Sequence, residues 1–85
     1  MIVVERIRDF LENELKIADA RSLSPDLPLV QNGILDSIEL LRVVAFLETE
    51  FSFTVADTEF VPSNLRSLSA MARFVEKKRA ERPSA

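Results

Sequence analysis

The hydrophobic positions of this chain fall into three stretches with helical spacing, separated by stretches in which that spacing is lost. Val3, Val4, Ile7, Phe10, Leu11 and Leu15 recur at three- and four-residue intervals, with Glu5, Arg6, Arg8, Asp9 and Glu12 on the other side. Such a stripe predicts an amphipathic helix over Val3–Leu15 whose role is to pack a core, and Lys16 near its end suits the dipole. A second pattern runs from Ser37 to about Phe51 without Gly or Pro, and Ile38, Leu40, Leu41, Val43, Val44, Ala45, Phe46 and Leu47 wrap far around it. A helix buried on one side needs only a stripe, so this belt means either a central position in a bundle or a surface that docks partners. The third pattern joins Leu68, Met71, Ala72 and Val75, with Phe74 nearby and Ser67 placed as N-cap. Ala70 rather than Glu follows three residues on, which leaves half a capping box.

Between the first two patterns, residues 18–36 hold Ser22, Ser24, Pro25, Asp26, Pro28, Asn32 and Gly33 and show no helical period. Connections this long are uncommon in compact domains and tend to be functional. Leu23, Leu27, Leu29 and Val30 are expected to pin the loop to the core, with a short helical turn near Ser24–Leu27 in which Pro25 takes the first position. Phe53-Thr54-Val55 alternates like a strand, yet no partner strand exists elsewhere, so Ser52–Asp57 reads as a loop with Phe53 and Val55 buried. A short helical element interrupted by Pro62 is expected around Thr58–Arg66, with Asn64 bonding the backbone and Leu65 as its plug.

The second pattern opens on Gly33-Ile34-Leu35-Asp36-Ser37-Ile38-Glu39, which starts at the single glycine of the chain. Asp36 is a good N-cap and Glu39 completes an Asp-x-x-Glu capping box. Ser37 is then the first helical residue, beside unpaired N–H groups and the positive end of the dipole, where an attached phosphate is favoured. Gly33-x-Leu35-Asp36-Ser37-Ile38, followed by Leu41, Val44, Leu47, Glu48 and Phe51, resembles the phosphopantetheine-binding carrier proteins of fatty-acid, polyketide and nonribosomal-peptide pathways. Pro62-Ser63-Asn64-Leu65-Arg66-Ser67 is similar to the Pro-Glu-Asn-Phe-x-Ser run of many freestanding carriers, and the likeness extends from about Val3 to Lys78. It implies an all-α, four-helix bundle of acyl-carrier-protein type. Three longer helices, a short third helix and a long loop between helices 1 and 2 would form a single carrier domain over 1–80 with a frayed tail at 81–85.

Composition narrows the chemistry. Cys, His, Tyr and Trp are all absent, which removes the thiol nucleophile, the usual general base and the commonest metal ligand. One glycine leaves no Gly-rich phosphate loop. An enzyme is not expected, nor any catalytic or metal-binding residue. The N-terminal residues form neither a signal peptide nor a membrane span, so the expected location is cytoplasmic, with no membrane partner and a monomeric state. Net charge is −3, but residues 18–67 carry eight acids against three bases, and residues 68–85 two acids against five bases. The segment around Ser37 is thus acidic, which suits basic partners rather than nucleic acid. Lys77, Lys78, Arg79 and Arg82 read as a solvated helix end complementing the dipole.

The resemblance also implies how the site is used. A phosphopantetheinyl transferase, with coenzyme A and Mg²⁺, would place a 4′-phosphopantetheine arm on the Ser37 hydroxyl, with Asp36 as the adjacent motif residue. The chain holds no base for Ser37, so the transferase must supply one. An acyl- or aminoacyl-loading ligase and downstream acyl-processing enzymes would follow as partners. They would dock on Ile38, Glu39, Leu41, Arg42, Ala45 and Glu48, while Val43, Val44, Phe46, Leu47 and Phe51 face the core. Arg42 stands where fatty-acid carriers are often acidic, which leans toward a dedicated carrier of secondary metabolism or aminoacyl transfer. The alternative from another class is a four-helix interaction module with Ser37 unmodified.

Overall fold

In the computed structural model, which describes residues 2–81, each periodic stretch is a helix. Helix α1 spans Ile2–Asn13, α2 Ser37–Phe51, α3 the four residues Pro62–Leu65, and α4 Leu68–Glu81, with 3₁₀ turns at Ala20–Ser22 and Asp57–Glu59. There is no strand among the described residues, and Phe53–Ala56 is a loop that lays Phe53 and Val55 half-buried on the core. Helix α1 packs on α2 and α4, α2 touches α4, and α3 lies on α4. Ile7 and Leu11 of α1, Val43 and Leu47 of α2, and Leu68, Met71 and Val75 of α4 are enclosed between them. Each such side chain contributes about 1.5–3 kcal/mol. Phe10 stacks on Phe46 with ring centroids 4.5 Å apart, and Phe53 meets Phe74 edge-on at 5.9 Å, each pair adding about 0.5–1.5 kcal/mol.

Helix α1 stops at Asn13, short of the expected Leu15. Its final turn widens: the Leu15 N–H reaches Phe10 O at 3.2 Å and the Ile17 N–H reaches Leu11 O at 2.9 Å, across Lys16 at φ 58°. Leu15 is buried all the same, carried to the core by a turn that is no longer helical. The turn expected near Ser24–Leu27 is a single reverse turn, closed by Leu27 N–H to Ser24 O at 3.1 Å. The helical turn lies earlier, at Ala20–Ser22, where Arg21 bonds Glu5 and Asp9 and comes within 3.6 Å of Glu12. The acids on the outer side of α1 thus hold this part of the loop down.

The rest of the long loop is anchored by Leu29 and Leu35, both fully buried, with Leu23 and Leu27 half-buried. Val30, expected among the anchors, is exposed. Two backbone bonds tie the loop to the corner between α3 and α4: Leu29 N–H to Arg66 O, and Ser69 N–H to Pro25 O, each 2.8 Å. Gly33 then turns the chain at φ 73°, its N–H on Val30 O at 3.1 Å and the Ile34 N–H on Leu29 O at 2.9 Å. Beyond the adjoining residues, no atom lies within 4 Å of the position a Cβ would take at Gly33. Gly33→Ala is therefore expected to cost only the left-handed backbone term, about 1–2 kcal/mol, and Gly33→Asn less, as read from urea midpoints.

The element expected around Thr58–Arg66 divides at Pro62, which opens α3. Asn64 Nδ2 donates to Glu59 O at 2.9 Å, Leu65 is buried, and Ser67 Oγ caps α4 by accepting the Ala70 N–H at 3.1 Å. Helix α4 runs through Glu81, one residue past the expected domain limit; Arg82 to Ala85 lie outside the described residues. Two members of the basic cluster are engaged rather than simply solvated. Lys78 pairs with Glu59, and Arg79 lies 5.8 Å from the Phe51 ring centroid.

Candidate functional site

The buried Leu35 fixes the chain immediately before α2, and Asp36 follows in an extended conformation. The Asp36 carboxylate accepts the Glu39 N–H at 2.7 Å, and the Glu39 side chain accepts the Asp36 N–H at 3.0 Å. The capping box is complete. Because Asp36 supplies the capping oxygen, the hydroxyl of Ser37 is left out of the cap. Ser37 is the first residue of α2 and is exposed. It sits among amides not consumed by the helix, at the end of the dipole that favours negative charge.

Downstream of Ser37, Ile38 is 71% and Leu41 56% exposed, and Arg42 and Ala45 are exposed as well. Their spacing places them on one face of α2. Glu39 is half-buried and occupied by the capping box. Glu48 follows Ala45 by one turn on the same side of α2. Its half-buried carboxylate accepts the Val55 N–H at 2.8 Å, and its carbonyl accepts the N–H groups of Ser52 and Phe53. Glu48 therefore ends α2 and holds the loop after it, a structural duty beside the docking role expected of it. Of the residues expected to face the core, Val43, Val44 and Leu47 are buried, and Phe46 and Phe51 are half-buried against them.

One feature escaped sequence reasoning. A groove of about 380 Å³ opens beside α2, lined by Pro28, Val30, Gln31, Leu40, Phe60, Val61, Pro62, Leu65 and Arg66. Leu40 stands three residues after Ser37, about 4.5 Å further along the helix axis. The available signal was the surplus of apolar residues (Val30, Phe60 and Val61) in segments too polar and broken to be core. Among the described residues, no cluster of His, Cys, Asp or Glu is suited to a metal ion. No helix among the described residues is long and apolar enough to cross a membrane.

The comparisons with known proteins agree with this geometry. Residues 5–75 match the family model described as the phosphopantetheine attachment site. The acyl carrier protein of Solidesulfovibrio magneticus is 26% identical over 81 residues, covering 95% of this chain and all of the relative. Aminoacyl carrier protein 1 of Bradyrhizobium diazoefficiens is 29% identical over 73 residues, 86% of this chain and 77% of the relative. The solution structure of a holo acyl carrier protein from Nitrosomonas europaea superposes with a TM-score of 0.79 at 30% identity, covering 95% of this chain and all of that one. The fold and the site thus define a small helical carrier, and the chain belongs to the phosphopantetheine-attachment family of carrier proteins. Its prosthetic group is a covalently attached phosphopantetheine. An exposed hydroxyl with no capping duty at a helix N-terminus fits a phosphodiester. Carriers of this family are in general non-catalytic and interact with biosynthetic enzymes.

Proposed function

We propose that Ser37 is the attachment point of the phosphopantetheine arm and that the protein presents an acyl or aminoacyl group to partner enzymes. The observation that carries this is the division of labour at the start of α2: Asp36 caps the helix and Ser37 Oγ stays free. The arm supplies a terminal thiol that holds the cargo as a thioester, and tethering raises the local concentration of cargo at each enzyme visited. The chain's own part is to orient the Ser37 hydroxyl and surround it with amides that favour the phosphate charge. With no histidine in the chain, the Ser37 proton is taken by a base of the transferase. The groove beside Leu40, apolar on most of its walls, offers an alkyl chain or a small apolar side chain a place to lie.

Partners dock on Ile38, Leu41, Arg42 and Ala45 in this reading. The apolar pair gives the contact its area and Arg42 favours a partner carrying an acid. The relatives named for acyl and aminoacyl groups support either cargo class. The test is the mass of the intact protein after incubation with coenzyme A, Mg²⁺ and a promiscuous phosphopantetheinyl transferase. A gain of one arm supports the reading, and no gain on folded protein across several transferases overturns it in favour of an unmodified interaction module.

Asp36 has a second role in this proposal, holding the transferase's metal or a basic residue. Asp36→Asn keeps a capping oxygen but loses the charge, and Asp36→Ala loses both. The alanine variant is expected to cost about 1 kcal/mol and the asparagine variant a small fraction of that. Both are expected to slow loading by at least about tenfold, equivalent to about 1.4 kcal/mol of transition-state stabilisation. Normal loading of Asp36→Asn would reduce Asp36 to a cap.

A further inference from the structure

Helix α3 has four residues and the 3₁₀ turn before it three, far too few to be stable alone. Yet this stretch supplies one wall of the groove, through Phe60 and Val61. Its position must come from tertiary contacts. Leu65 plugs the core at the far end. At the near end Glu59 gathers the rest: Lys78 Nζ on α4 donates to both carboxylate oxygens at 2.9 and 3.1 Å, and the Ala56 N–H donates to Oε1 at 3.0 Å. The Glu59 carbonyl accepts Asn64 Nδ2 at 2.9 Å, which closes the segment on itself. The Ala56 N–H, followed by the Lys78 ammonium, holds the Glu59 carboxyl below the usual carboxylate range. The two side chains of the pair are only 19% and 27% exposed.

We propose that the Glu59–Lys78 pair is a latch that fixes the Phe60–Val61 wall against α4 and thereby sets the size of cargo the groove admits. The cargo role rests on the carrier reading above; the structural role does not. Glu59 immediately precedes Phe60, so releasing it frees the wall between Ala56 and the Leu65 plug. The opposite wall stays in place, because Leu40 belongs to a helix held by the buried Val43 and Leu47. Lys78 and Glu59 are thus positioning residues for cargo and do not touch the attachment site.

The experiment compares wild type with Lys78→Met, which keeps an apolar stem, and Glu59→Gln, which keeps an oxygen for the Ala56 N–H. Lys78→Arg serves as rescue. On unmodified protein, amide exchange at Phe60, Val61 and Asn64 is expected to rise about 1.5- to 5-fold in both charge-removing variants, the range for a partly shielded ion pair. Exchange at Ile34 and Leu35 should stay constant, and Lys78→Arg should restore the wild-type rates. Protein loaded with butyryl or dodecanoyl groups is then followed by thioester hydrolysis. Dodecanoyl is expected to hydrolyse about 1.5- to 5-fold more slowly on the variants than on wild type, tracking the released wall, while butyryl is unchanged. Unaltered exchange at the wall, or equal acceleration at every amide, would overturn the latch. Faster wall exchange with both chain lengths responding alike would overturn its role in cargo size. Failure to load at all would remove the carrier reading and with it the cargo role, while exchange on unmodified protein would still decide whether the pair holds the wall.

Discussion

Ser37→Ala is expected to fold as wild type does and to gain no phosphopantetheine under conditions that load wild type completely. Both halves follow from the start of α2. The capping oxygen belongs to Asp36 and the Ser37 side chain is exposed, so removing one hydroxyl should change stability by no more than about 0.5 kcal/mol. The same hydroxyl is the only atom in the proposal able to form the bond to phosphorus, so its loss is complete rather than partial. Intact mass and a urea melt on the same sample check the two halves together. The chain holds other serines, among them Ser63, Ser67 and Ser69 around α3 and the start of α4. Ser67 is buried and engaged in capping α4. Mass gain by the variant at any of these positions would move the attachment site and void the assignment.

A large loss of stability is expected at Leu29→Ala, about 2–5 kcal/mol. Leu29 is fully enclosed, and its own N–H makes one of the two bonds to the α3–α4 corner. An 85-residue domain has a total stability of about 4–13 kcal/mol, so the variant forfeits a large share of it. Chemical denaturation with the slope unchanged and the midpoint lowered is the expected signature. Leu27→Ala, at a half-buried position of the same loop, should lose well under half as much. Equal losses at the two positions would mean that the loop is not anchored through Leu29.

The three long helices were legible because a period near 3.6 is a property of local sequence, and so was the start of α2, where Asp36 and Glu39 sit three apart. The limits of that reading are physical. Leu11 and Leu15 keep helical spacing although the helix has ended between them; a Lys in the left-handed region, unlike a Gly, leaves no mark in the sequence. The turn at Ala20–Ser22 depends on Arg21 meeting acids displayed by α1, a pairing set by the fold. Glu48 resembled a surface charge, and only the path of the following loop brings the Val55 N–H to it. The groove is made by three segments distant in sequence, so no window of residues contains it. The position of Ser37 as the exposed first residue of α2, by contrast, was legible because the capping geometry that exposes it is written within four residues.

The bonds from Leu29 to Arg66 and from Ser69 to Pro25 join parts of the chain about forty residues apart. Such closures form late, after local helices have already appeared. During synthesis from the N-terminus, Arg21 can meet the acids of α1 early, but the Leu29 N–H and the Pro25 carbonyl have no partner until the α3–α4 corner has emerged. The Asp36–Glu39 capping box is local and can set the start of α2 early, whereas the loop that leads to it reaches its final place only after the last helix has packed. If the proposed attachment holds, a transferase that contacts this loop as well as the start of α2 would load only chains whose last helix is in place.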